Sequence, residues 1–315
     1  MGSLAYLLGV ALLYHAFGSL DIAVLAERLR PVPAAWVALG LMSAGLLLKT
    51  ALFPLHFWLP PAHSSAPSPV SAVLSALVIK ASLYILLRLW IMLFGPFAGD
   101  GVAAFLGLLG VAAILWGSVQ ALRQTRLKLL VAYSTVAQIG YLFLAFPLAT
   151  VASWNATMVL LLSHALAKSA MFLAAGNFLN FGGHDRIADL DHIVQRLPLS
   201  AFAFALAGVS LMGLPPSGGF IGKWLLLEAA LVQGRWDLAA VMLFGGLLTA
   251  AYVFKVLGKS FTQADVACTY QPKEIPARMQ WVALILACGA ILLGFGGTPL
   301  LPLLEIGVPF DGSGP

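Results

Sequence analysis

Charged side chains are scarce in this chain: 17 Lys or Arg and 12 Asp or Glu among 315 residues, or 9%. A soluble domain carries about 25%. With 61% of the residues hydrophobic, too few polar groups remain to cover a water-facing surface, which excludes an ordinary soluble globule. Cysteine is nearly absent. Cys268 and Cys288 are too few for a disulfide framework or a four-ligand zinc site. P-loop, GxGxxG and CxxC patterns are missing too, so bound nucleotide, flavin and iron–sulfur centres have no support. No cofactor and no metal is expected in this chain. The net charge is +5. Its basic residues are scattered, several within apolar runs, which argues against a nucleic-acid groove.

Long apolar runs are what the chain has instead. A span needs roughly 20 apolar residues, and nine runs qualify: roughly 3–18, 33–58, 67–94, 102–122, 128–149, 154–180, 198–233, 236–262 and 279–298. Backbone in lipid must satisfy its own hydrogen bonds, so these runs read as helices. The fold expected is all-α, a polytopic membrane helix bundle of about nine spans. Two runs are interrupted. Pro54 lies inside the second, and Pro215, Pro216, Gly218 and Gly219 lie inside the seventh. Proline removes a donor and clashes with the preceding turn. Two broken helices in corresponding positions point to inverted repeats of the transporter kind.

Loop charge sets the expected orientation. Loops after even-numbered runs hold Arg123, Arg126, Lys128, Arg186, Arg196, Lys273 and Arg278, with Lys259 at a span end. Loops after odd-numbered runs hold Arg28, Arg30 and Arg235. The positive-inside rule puts the even loops and the N-terminus in the cytoplasm and, with nine spans, the C-terminus outside. The setting expected is a prokaryotic inner membrane.

Ionisable residues inside the runs carry the functional signal. A lysine at the bilayer centre costs about 2.5–3.5 kcal/mol on insertion scales, so Lys49, Lys80, Lys168 and Lys223 call for a task. Lys49 and Lys223 adjoin the two breaks, and Lys80 is mid-run. His164 and Lys168 are four apart and share a helix face. These five are the candidate proton-transfer residues. His56 and His63 flank a proline-rich turn, Glu228 follows Lys223 by five residues, and Lys255 lies near a span end. Those four are candidates for gating or pairing. The alternative for Lys255 is snorkelling to the interface. For Lys128 it is a topology anchor.

Four blocks, in order, carry a resemblance. They are KTALFPLHFWLPPAHSSAPSPVSAVLSALVIKASLYILLR from Lys49, LKLLVAYSTVAQIGY from Leu127, SHALAKSAMFLAAG from Ser163 and GLPPSGGFIGKW from Gly213. Together they resemble the antiporter-like proton-channel subunits of respiratory complex I, membrane-bound hydrogenases and Mrp-type cation/proton antiporters. The nearest kind is the D-type Mrp antiporter protein, with a complex I subunit close behind. The resemblance implies about fourteen spans, two inverted five-helix repeats each with a broken helix, and a line of charges across mid-membrane. Lys49 would be the broken-helix lysine of the first repeat and Lys80 the central connecting lysine. His164 and Lys168 would stand on the axis, and Lys223, where some members carry Glu, would be the terminal residue.

The nine runs correspond to the sixth through fourteenth spans of that family. The first five, including the helix whose Glu pairs with the first-repeat lysine, have no counterpart here. The chain is therefore read either as a fragment or as a subunit whose missing helices come from another polypeptide. The division expected is 1–122 for the remainder of the first repeat plus the first helix of the second, 123–262 for the rest of the second, and 263–315 for the C-terminal loop, span and tail. The resemblance implies proton translocation, with Na⁺ as a second candidate ion, in a multisubunit complex of membrane subunits. Redox subunits are candidate partners, and catalysis is not expected from this chain alone. A structural subunit with an idle polar axis stays open beside that reading.

Overall fold

The computed structural model describes residues 1–190, 192–262, 273–296 and 302–303. Among these residues the regular structure is helical. The first elements are α1 (Gly2–Phe17), α2 (Ile22–Arg28), α3 (Pro33–Thr50), α4 (Leu59–Ser65), α5 (Ser68–Val73), α6 (Ile79–Leu89) and α7 (Gly95–Arg123). Then come α8 (Leu127–Phe143), α9 (Ala145–Leu148), α10 (Val151–Gly182) and α11 (Ile193–Arg196). The last are α12 (Pro198–Met212), α13 (Gly218–Val232), α14 (Trp236–Phe261) and α15 (Ala277–Phe295). Wide π turns at Leu74–Val78 and Trp90–Phe94 join α5, α6 and α7.

Local chemistry sets these boundaries. Pro33 opens α3 at a position where its missing N–H costs nothing. The Asp21 carboxylate caps α2 by accepting from Ala23 N at 2.8 Å. Thr150 and Ser153 form a reciprocal capping box at the start of α10. Gly99, at φ 71° and ψ 177°, interrupts α7 in a conformation that side chains resist.

Six helical segments are long and apolar enough to cross a membrane, or seven if the bent pair α1 and α2 is one span. The nine expected from the sequence are not reached on length and composition, for two physical reasons. The break in the seventh run leaves α12 and α13 with 15 residues each, too short alone. Conversely, Ser68–Arg123 runs as one helical path of 56 residues, about 84 Å at 1.5 Å per residue, far beyond one bilayer crossing. The second run stops at Thr50 rather than continuing to 58. Cys268, the loop around it and the tail beyond 296, except 302–303, lie outside the described residues, as does the C-terminus.

The chain is a multi-pass membrane protein whose connecting loops gather into two groups. One holds Ala66, Thr125, Arg126 and the Gly183–Asp189 turn. Lys128 Nζ donates to Ala66 O, Leu127 N to Asp185 O at 2.6 Å, and Arg126 pairs with Asp185 at 2.9 Å. The other holds Gly95–Asp100, Ala149 and Arg235, which line one cleft of about 510 Å³. Helices α7, α8 with α9, α10, and α14 each run from one group to the other. In the core, α8 packs along α7, while α10 packs against α12, α13 and α15.

Candidate functional site

The two breaks are built alike. At the first, Ala51 turns left-handed (φ 57°) and ends α3. The Leu48 carbonyl, freed of its helical partner, accepts from the indole Nε1 of Trp58 at 2.7 Å. At the second, Gly213 is left-handed (φ 82°), Ser217 Oγ accepts from Phe220 N at 3.1 Å, and α13 starts. Here the freed carbonyl belongs to Leu211, and it accepts from Lys223 Nζ at 2.6 Å. Gly219 allows this turn to close. A Cβ there would collide with the Ser210 carbonyl. Buried backbone acceptors must find partners, and at the second break a lysine is that partner.

Lys80 and Lys168 are anchored in the same manner. Lys80, 4% exposed, donates to the carbonyl of Ser75 at 2.5 Å inside the π turn. Lys168, fully buried, donates to the Val131 carbonyl at 2.9 Å and to Ser134 Oγ. Hydroxyls join the two sites, because Ser75 Oγ lies 3.3 Å from Thr135 Oγ1 and Thr135 donates to the same Val131 carbonyl at 3.0 Å. Among the described residues, Lys80, Lys168 and Lys223 form no ion pair with a carboxylate. Removing a charge from water without a counter-ion is costly. Among the described residues their hydrogen-bond acceptors are neutral oxygens.

Two buried histidines lie near the lysines. His164 is 2% exposed, neither ring nitrogen has a protein partner, and Lys80, Lys168 and Lys223 all lie within its electrostatic reach. His63 is fully buried and stacks on Phe172 with centroids 4.4 Å apart. Both its nitrogens are likewise unpartnered, and Lys168, Lys128 and Lys80 lie within its electrostatic reach. Ring nitrogens buried this way are sites for bridging water.

The structure therefore brings Lys80, Lys168, Lys223, His164 and His63 together. It sets four candidates apart. Lys49 is exposed and lines a groove of about 780 Å³ with Tyr6, Trp58 and Ser82. His56, half-buried, stacks on Phe53 at 5.5 Å. Glu228 is exposed on α13. Lys255 caps the end of α7, donating to the carbonyls of Leu122 and Gln124 at 2.7 Å each. Lys128, expected to be a topology anchor, is 2% exposed.

Sequence reasoning passed over the neutral partners Ser75, Ser134, Thr135, Gln138, Tyr141 and Tyr252. One signal was there to be read. Ser134, Gln138 and Tyr141 recur at helical spacing within an apolar run, which puts them on one face of α8.

A family model described as NADH:quinone oxidoreductase/Mrp antiporter, TM matches residues 1–249. NADH-quinone oxidoreductase subunit N of Desulforudis audaxviator (strain MP104C) is 39% identical over 307 residues, covering 92% of this chain and 61% of the relative. The D-type Na(+)/H(+) antiporter protein of Alkalihalophilus pseudofirmus is 27% identical over 302 residues, covering 95% of this chain and 61% of the relative. The higher identity is thus to the oxidoreductase protein, although the motif blocks resemble the antiporter one. A chain in the structure of the Mrp complex from Dietzia sp. DQ12-45-1b superposes with a TM-score of 0.85 at 28% identity, covering 96% of this chain and 64% of that one. The chain spans a little under two thirds of these relatives.

Proposed function

Because the chain belongs to the NADH:quinone oxidoreductase/Mrp antiporter transmembrane family, we propose that it is a proton-translocating membrane subunit of a multisubunit complex. Protons pass along a buried axis of Lys80, Lys168 and Lys223, with His164 and His63 beside it and Lys49 at its outer groove. Na⁺ is the second candidate ion. The chain carries no cofactor of its own, and the driving energy comes from partner subunits. These are other membrane subunits, joined by redox subunits if the complex is respiratory.

One observation carries this reading: three lysines, Lys80 and Lys168 buried and Lys223 half-buried, have no carboxylate partner among the described residues, and each donates to a backbone carbonyl, at the π turn, inside α8 and at the second break respectively. Two ammonium groups close together in low dielectric repel strongly. A proton arriving at one lysine therefore drives a proton off its neighbour. Neutral carbonyl and hydroxyl partners suit this exchange, because they hold the amine without locking its charge as a carboxylate would.

The alternating loop groups support a nine-pass weave in which α12 and α13 together make one crossing. The paired breaks support two inverted repeats, the first incomplete within these residues. The orientation that follows the basic loops puts Arg126 and Arg186 in the cytoplasm of a prokaryotic cell.

The test replaces Lys80 or Lys168 with Ala in the native complex, reconstituted into vesicles holding a pH-sensitive dye. Proton movement is expected to be lost while the complex assembles. Transport at the unmodified rate in both variants would leave the axis idle and the subunit structural.

A further inference from the structure

Between Lys168 and Lys223 the basic link is His164, and α8 offers a second, neutral route. Ser134, which accepts from Lys168, lies four residues from Gln138, one turn along the same face. The Gln138 amide donates to the Leu211 carbonyl and to Thr249 Oγ1, both at 3.3 Å. That Leu211 carbonyl is the one held by Lys223. Lys223 Nζ also lies 4.3 Å from the centroid of the Tyr141 ring, three residues farther along α8. The Tyr252 hydroxyl projects into this space. The residue is fully buried, and its hydroxyl makes no hydrogen bond of standard geometry although Thr249, Gln138 and Ser134 face it closely enough to interact. Gln138 Oε1 is buried and unpartnered as well. Two orphaned polar atoms beside each other in a packed core call for bridging water.

We propose that Tyr252 and Gln138 form a neutral bridge between the Lys168 and Lys223 sites: the Tyr252 hydroxyl relays the proton, and Gln138 is a positioning residue that sets Lys223 through the shared Leu211 carbonyl. This rests on the proton-translocation reading and deepens it.

The step balances as a hydroxyl relay. An N–H bond breaks at the Lys168 ammonium, leaving a neutral amine. Ser134, whose hydroxyl donates to the Val131 carbonyl at 2.9 Å, takes that proton at oxygen, turns from the carbonyl and gives its own to Tyr252. Tyr252 gives its own onward, past Thr249 and across water, to the neutral Lys223 amine, where an N–H bond forms. One proton moves, one positive charge moves with it, and each hydroxyl is left neutral. The Gln138 amide, neither acid nor base in this range, only orients its neighbours.

The experiment uses the native complex in dye-loaded vesicles and compares Tyr252→Phe, Gln138→Met and Lys168→Ala. Phe keeps the ring and removes only the hydroxyl, so the complex assembles and the rate falls by about tenfold. Met keeps the length of Gln without its amide, so the pH dependence of transport moves by about half a unit as the setting of Lys223 changes. A purely structural Gln138 would not move that profile. Tyr252→Phe at the unmodified rate, in a preparation where Lys168→Ala is dead, overturns the relay. An unmoved profile in Gln138→Met overturns the positioning role. If Lys168→Ala itself transports normally, the translocation reading falls and takes the bridge with it.

Discussion

Lys80 donates to the carbonyl of Ser75, five residues earlier on its own helical path, at 2.5 Å. The π turn at Leu74–Val78 makes this possible. Its wider ring departs from the regular i→i−4 ladder, and such turns recur at functional sites. The ammonium is thus tied to its own helix rather than to a counter-ion, and it can release its proton without leaving a charged partner behind.

This arrangement distinguishes a proton carrier from a fixed charge. Arginine keeps the positive charge but holds its proton permanently. Lys80→Arg is therefore expected to assemble and to transport at less than about a tenth of the unmodified rate, read by dye quenching in vesicles. Transport near the unmodified rate would mean that position 80 needs only charge.

The second break depends on a close approach. In Gly219→Ala the new Cβ meets the Ser210 carbonyl, which is backbone and cannot swing away. Overpacking of this kind costs roughly 1–3 kcal/mol, so the melting temperature of the complex should fall and transport with it. Gly258→Ala is the control. Nothing lies within 4 Å of a Cβ at that position on α14, and replacing a mid-helix glycine with alanine gains roughly 0.5–1 kcal/mol. Equal melting temperatures for the two variants would refute the steric account.

The grouping of loops gives a topology test. With Cys268 and Cys288 replaced, Thr125→Cys and Asp100→Cys are expected to react with a membrane-impermeant maleimide from opposite sides. Thr125 belongs with Arg126 and Asp185, and Asp100 with Arg235. Thr125 should label only when the cytoplasmic face is open. Labelling of both from one side would remove the alternating weave.

Much of this was legible from the residues. Pro54 and the Pro215–Pro216 pair marked both breaks, because proline's cost does not depend on tertiary context. Lys80, Lys168 and Lys223 stood out because charge in an apolar run is expensive. Ser134, Gln138 and Tyr252 did not stand out. A neutral polar group costs little in such a run, and the meaning of each comes from a partner on another helix. Lys128 reads as a topology anchor beside Arg126, and the partner it finds, the Ala66 carbonyl 62 positions away, was not visible from the sequence. Glu228 followed Lys223 closely enough to suggest pairing, yet the helix turns it outward. Length and composition alone do not reach nine spans, because α12 and α13 each fall short of a crossing.

Of the 17 residues in α8, all but Leu129 and Tyr133 are buried, whereas α14 and α15 are mostly uncovered over their apolar windows. The helix that carries Ser134 and Gln138 thus has almost no contact with lipid. When bilayer thickness changes, mismatch is absorbed first by tilting of the lipid-facing helices, and their protein neighbours screen α8 from it. The proton path is in effect suspended inside a protein sleeve, so its geometry can stay constant while the membrane around it varies in composition and thickness.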